Sequence, residues 1–294
     1  MQQSIRTDLA VERFNHYQKQ EGTSREVEGV SHRRKSIHGI LVHTMEIENE
    51  HASAFLCKPI GAYHTISLVK PLKRCDNSFL DAVVCIAEVL RELLPKGTSY
   101  LIACLGNRNI TPDAIGPLCA QQIMVTRHLK SHLPDMFDDF SEVSVVCPGV
   151  LGTTGIESAS LIKGAADSVK PDAVIVIDAL AAQNPNSLCN TIQICNTGIE
   201  PGSGVGNRRY AINQATLGVP VISLGVPTIV DLSTLYNYIC IDKADSSALT
   251  ERNMMVTPQN IDSLVSDIAK LLSYGINFAL HPDLTLEDVD LFIS

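Results

Sequence analysis

Apolar positions along the chain change their spacing from region to region. Residues 37–75 carry short alternating stretches, ILVHTMEI and AYHTISLV. Their period of two predicts half-buried strands that pair antiparallel. From about 80 to 232 the texture changes. FLDAVVCIAEVLRELL has helical spacing, with Asp76 or Ser78 as its expected cap. Then come almost wholly apolar runs, YLIACLG, SVVCPGV, AVIVID, TIQIC and VPVISLG. Runs of this kind fit strands buried on both faces. Helical segments such as PLCAQQIMVTRHLK and ESASLIKGAADSV lie between several of them. This βαβ alternation predicts an α/β fold with a mostly parallel sheet, helices on both faces and extra N-terminal strands. IDSLVSDIAKLLSYGINFAL reads as an amphipathic helix, with an acidic DLTLEDVD after it. Residues 1–36 are polar and predict an arm or a loosely packed start.

Composition narrows the function classes. The chain has 294 residues, 45% of them hydrophobic, and a formal net charge of −9. A core of ordinary size is expected, and the acidic balance argues against direct nucleic-acid binding. The one dense basic run, Arg33-Arg34-Lys35, is expected in a solvated loop. No stretch supplies the roughly 18 uninterrupted apolar residues of a membrane span. MQQSIRTDLAVE lacks the apolar centre of an export signal. Nine Cys without a CxxC pair fit a reducing, cytoplasmic setting.

In a parallel α/β sheet the loops leaving the carboxyl ends of strands line the ligand crevice. Four such loops stand out. In GNRNITPDAIGP, which begins with Gly106 and Asn107, Thr111 can cap a helix with Pro112 at its first position. Asp113 then falls in the first turn, where the helix dipole favours an ionised carboxylate. Asp178 ends the apolar run AVIVID, an expensive place for a carboxylate unless it is paired or open to a crevice. Two carboxylates on one sheet edge can share a proton and divide the roles of base and acid. The loop Pro201-Gly202-Ser203-Gly204-Val205-Gly206-Asn207 fits neither a dinucleotide nor a Walker pattern. Its backbone N–H groups are candidates for stabilising an oxyanion. Ser203 lacks the GxSxG setting of a nucleophile. In PGVLGTTGIE, Glu157 is either a third acidic member of the site or a cap. His128 and His132 have ligand spacing but no HExxH glutamate, so a solvated helix end is expected for them.

At these loops the sequence resembles the spore germination protease family. The matching stretches are LGNRNITPDAIGP, VTRHL, PGVLGTTGIE, KPDAVIVIDALAA, TIQICNTGIEPGSGVGNRR and TLGVPVISLGVPTIVD, over residues 101–231, together with the N-terminal IRTDLAVE. The resemblance implies a fold akin to hydrogenase maturation proteases. It also implies an endopeptidase that begins the degradation of small acid-soluble spore proteins during germination, in the cytoplasm of the forespore and spore core. Such an enzyme is made as a self-processing zymogen and works as a homotetramer without a cofactor. By motif the two catalytic aspartates carry over to Asp113 and Asp178. RTDLAVE is similar to the substrates' cleavage sequence, which places self-cleavage between Asp8 and Leu9. Residues 1–8 are then a propeptide and 9–294 a protease domain, with an arm and strands over 9–75, a core over 76–240 and a helical region over 241–294. Asn107, Glu157, Gly202, Ser203 and Gly204 are expected to support the pair. A metal-dependent peptidase or a noncatalytic spore protein of the same fold are the alternatives. A nucleotide-binding α/β enzyme ranks behind them, because no strand is followed by a phosphate fingerprint.

Overall fold

The computed structural model describes residues 6–21, 27–206, 209–239 and 254–293. Residues 1–5 of the expected propeptide, Asn207 of the glycine loop and residues 241–253 of the expected helical region lie outside the described residues.

The described strands are β1 (Val30–Ile37), β2 (Ile40–Ile47), β3 (Gly61–Ser67), β4 (Ser99–Cys104), β5 (Glu142–Val146), β6 (Ala173–Ala182), β7 (Thr191–Cys195), β8 (Val221–Asp231) and β9 (Met255–Val256). They join one sheet in the order β1-β2-β3-β7-β8-β6-β4-β5, with β9 beside β8. β5, β4, β6 and β8 run parallel. The other five pairings are antiparallel. The sheet is therefore mixed, not mostly parallel. TIQIC causes the difference: it is apolar enough for a parallel strand, yet the short connection from β6 returns it as β7, antiparallel to β8. An apolar run reports burial and not direction.

Helices cover both faces. On one, Phe79–Leu93 and Ile261–Leu280 pack over Ile102, Ile175, Ile177 and Leu224. On the other, Ser158–Val169 covers Leu101, Val174 and Val176. Ile261–Leu280 is amphipathic only at its start, for it is buried without a break from Leu271 to Leu280. Its polar groups there are bonded: Ser273 to the Ala269 carbonyl, and Asn277 to Met124 N and Gln122 O. Ser78 stands at the start of Phe79–Leu93 without a side-chain cap bond, while the Asp76 carboxylate accepts from Lys73 N.

The basic run lies in a strand, not a loop. β1 is the sheet's edge, and Arg33 and Arg34 are exposed on it, where charge discourages further strand pairing. Its hairpin to β2 turns through His38 and Gly39, both at positive φ, as a two-residue turn requires. The N-terminal segment is not loose. Thr7, Leu9, Ala10, Glu12 and Phe14 are buried, and Ala10–Glu21 is a helix. Among the described residues no helix is long and apolar enough to cross a membrane.

Candidate active site

Asp178 stands in the row of the sheet where β6, β8 and β7 are in register. Its partner is Gly225, and Gly225 also pairs with Gln193. Residues in one row project from one face, so Asp178 and Gln193 flank Gly225, over which the Leu180 side chain packs. Beyond Ile177 the partner strand β4 has ended, which leaves the far end of β6 open on that side. The chain that leaves β4 bends back at Gly106, at φ 109. A Cβ there would stand 2.0 Å from the Asp113 carbonyl oxygen, so only glycine permits the turn. Asn107 N then donates to both the carbonyl oxygen of Asp113 (3.0 Å) and its Oδ2 (2.9 Å). Thr111–Asp113 is a short 3₁₀ turn, and the α-helix starts only at Ile115. Asp113 is thus held by Asn107 and not by a helix dipole.

The two carboxyls share a cavity of about 530 Å³ that Asn107, Gly149, Glu157 and Arg209 also line. Burial raises the Asp113 pKa to about 6, against the Asn107 N–H, which pulls it down. Asp178 is 6% exposed. Burial pushes its pKa well above the usual carboxylate range, and the Asp113 charge adds to this. The Ala179 N–H opposes the rise, and Asp8 contributes further to it. Burial thus splits the pair in acidity, with both carboxyls pushed up and Asp178 the more deeply buried of the two.

Residues 7–12 lie along the open end of β6. Asp8 N donates to Ala181 O (2.9 Å), and Ala181 N donates back to Asp8 Oδ2 (2.9 Å). Ser203 Oγ donates to Asp8 Oδ1 at 2.7 Å. Gly204 closes against the same carboxylate, since a Cβ there would stand 2.1 Å from Asp8 Oδ2 and 2.9 Å from Ala181 Cβ. Leu9 is wholly buried among Leu180, Ala182 and Val230. The Ala10 N–H donates to Gln193 Oε1 at 2.7 Å. The Glu12 carboxylate accepts from Gln183 N (2.6 Å), Asn184 N (3.1 Å) and Ser187 Oγ (3.1 Å). The segment thus fixes one acidic side chain and buries Leu9 before the helix begins at Ala10, and Glu12 in the first turn of that helix is fixed as well.

The family model described as germination protease (Peptidase_A25) matches residues 7–242. The chain belongs to the germination protease family. Family relatives are similar over nearly their whole length. The germination protease of Clostridium perfringens (strain 13 / Type A) is 40% identical over 326 aligned residues, covering 99% of both chains. That of Caldanaerobacter subterraneus subsp. tengcongensis is 41% identical, covering 97% of both. That of Oceanobacillus iheyensis is 32% identical, covering 99% of this chain and 97% of its own. Among solved structures, a [NiFe] hydrogenase maturation protease, HycI from Thermococcus kodakarensis, covers 63% of this chain and 98% of its own. It is 18% identical with a TM-score of 0.33, and at that score the likeness carries no argument.

The fold therefore brings together Asp8, Asn107, Asp113, Asp178, Gly202, Ser203 and Gly204 of this family member. Glu157 lines the same cavity but its carboxylate faces Arg209 at 4.0 Å, and it stands at the start of Ser158–Val169 without a side-chain cap bond. Among the described residues no group of three or more His, Cys, Asp or Glu side chains is arranged to hold a metal ion. His128 and His132 meet only through a bond between His132 Nδ1 and the His128 carbonyl oxygen. The glycine loop meets the Asp8 carboxylate through the Ser203 hydroxyl. The Asp8 carbonyl oxygen faces Lys58 and Gln193. Neither was singled out in the sequence. Gln193 carried a signal, as the polar residue inside the apolar TIQIC. Lys58 carried none, because a Lys after a short helix looks solvated.

Proposed function

We propose that this chain is the endopeptidase that starts the breakdown of small acid-soluble spore proteins in germination, made as a zymogen that cuts its own Asp8–Leu9 bond. A homotetramer in the forespore and spore core is part of the same reading and rests on family membership. The observation that carries it is the docked segment. The Asp8 carboxylate is fixed by Ser203 and Ala181, and Leu9 is buried, beside a carboxyl pair split in acidity.

In this reading a water molecule between the aspartates attacks the Asp8 carbonyl carbon. Asp113, ionised near neutrality, takes its proton. Asp178, still protonated, gives a proton to the Leu9 nitrogen as the C–N bond breaks. The desolvation that keeps Asp178 neutral separates the roles, as in other carboxyl pairs that share one proton. A metal ion is not required by this scheme.

Intact masses of the chain incubated with a small acid-soluble spore protein, with Asp113→Asn in parallel, test it. The expected products are substrate fragments ending at an acidic residue and an enzyme lacking residues 1–8. Cleavage by Asp113→Asn at the unsubstituted rate, or two intact proteins throughout, would overturn the proposal.

A further inference from the structure

We propose that Lys58 and Gln193 form the oxyanion site of the protease, holding the carbonyl oxygen of the bond to be cut. The inference rests on the Asp8–Leu9 reading above and adds to it the group that receives the developing charge.

The geometry points there from two sides. Lys58 Nζ donates to the Asp8 carbonyl oxygen at 2.7 Å, and Gln193 Nε2 donates to the same oxygen at 3.3 Å. Two donors on one carbonyl oxygen are what a tetrahedral intermediate requires, and they strengthen as the oxygen becomes anionic. Both are placed by the fold. The helix Glu50–Leu56 ends at Cys57 in the left-handed region, at φ 51, and Lys58 after it lines a second, smaller cavity of about 90 Å³ with Asp8, Tyr63 and Gln193. Gln193 is 6% exposed and its other amide atom, Oε1, is fixed by the Ala10 N–H. Its amide is thereby oriented with Nε2 toward Asp8.

The rest of the arrangement fits the chemistry. Gln193 and Asp178 lie in one row across Gly225, so the carbonyl oxygen is gripped from the β7 side while the acid stands on the β6 side. Desolvation lowers the Lys58 pKa, and the nearby Asp8 charge works against that fall. As the water oxygen bonds to the Asp8 carbonyl carbon, the C=O π pair moves onto the oxygen beneath Lys58 and Gln193. As the oxygen re-forms its double bond, the C–N pair leaves with the Leu9 nitrogen, which takes the Asp178 proton.

The segment has anchors besides these two donors. Asp8 is also held by Ala181 and Ser203, and Leu9 by its apolar pocket. A charge-stabilising role and a tethering role therefore predict different results. The experiment follows self-cleavage of the full-length chain by intact mass for the unsubstituted protein, Lys58→Met, Gln193→Leu and Asp113→Asn. Hydrogen exchange at Asp8 and along β6 is read on the same samples before cleavage. Lys58→Met is expected to slow cleavage about a hundredfold or more, and Gln193→Leu about tenfold. The Asp8 amide should keep its protection in both. Cleavage of Lys58→Met at the unsubstituted rate overturns the oxyanion assignment alone. Loss of Asp8 protection in step with the loss of rate also overturns it, in favour of a tether. If Lys58→Met fails to fold, the near-isosteric Gln193→Leu decides by the same two readouts. No cut at Asp8–Leu9 in the unsubstituted chain overturns the proposed function, and this inference with it.

Discussion

Asp113→Asn should make the protein more stable while removing its activity, and the gain should depend on pH in a calculable way. The Asp113 carboxyl titrates at about 6 in the folded chain against an ordinary 3.8, because burial disfavours its charge. A raised carboxyl pKa means that the folded state gives full stability below 3.8 and loses it as pH rises through about 6. At pH 7 the ionised group costs about 3 kcal/mol, from a shift of about two units at about 1.4 kcal/mol each. At pH 5 the cost is about half of that, and it vanishes near pH 3.8. Asparagine carries no such charge, and its side-chain oxygen can still accept from Asn107 N. The comparison is best made in an Asp178→Asn background, where the chain should not cut itself and Asp113 titrates without its coupled partner. Urea unfolding of Asp178→Asn and of the double variant from pH 5 to 7.5 measures the difference. The double variant should be the more stable by about 3 kcal/mol at pH 7 and about half that at pH 5. Thermal midpoints should differ by on the order of 5 °C at pH 7. A difference flat with pH, or a double variant that is the weaker at pH 7, would refute burial as the cause of the shift.

Other outcomes follow from the same geometry. Ser203→Ala removes the hydroxyl from Asp8 Oδ1 and leaves the Ala181 N–H, so self-cleavage timed by intact mass should slow about tenfold. Gly204→Ala should stop it, since the new methyl would occupy the place of the Asp8 carboxylate. Glu12→Ala leaves two backbone N–H groups and the Thr7 and Ser187 hydroxyls without their acceptor, so the Thr7–Glu12 segment should lose hydrogen-exchange protection. The rate of self-cleavage should rise with pH through about 6 as Asp113 ionises, and fall again where Asp178 gives up its proton. A rate that only falls as pH rises through 6 contradicts the assignment of Asp113 as base.

Much of this was legible in the residues. AVIVID located Asp178 through a carboxylate in a buried apolar run, although β6 continues past it to Ala182 instead of ending there, and the turn residues around TPD located Asp113. The identity of the fold's parallel half followed from its Val and Ile runs. Strand direction did not, because TIQIC has the same apolar composition whichever way it runs, and the returning connection after β6 decides it. The helical expectation at Thr111 failed for a related reason: Asn107 N binds the Asp113 carbonyl oxygen, and the chain closes a tight turn before the helix can begin. The N-terminal residues looked loose because RTDLAVE has too few apolar residues to bury itself. Its Leu9 and its two acids are satisfied by partners nearly 200 positions away, Ser203 and Asn184 among them. Lys58 was hidden in the same way, for nothing near it in sequence shows that a carbonyl oxygen waits beside it.

The central claim is that Asp113 and Asp178 direct a water molecule onto the Asp8–Leu9 bond. The most direct measurement is self-cleavage of the full-length chain in ¹⁸O-labelled water at several protein concentrations, followed by intact mass, with Asp178→Asn in the same series. Release of residues 1–8, one ¹⁸O in the new Asp8 carboxyl group and a chain beginning at Leu9 are expected, with no such products from Asp178→Asn. Cleavage of Asp178→Asn at the unsubstituted rate, or a first cut at any other bond, would contradict it.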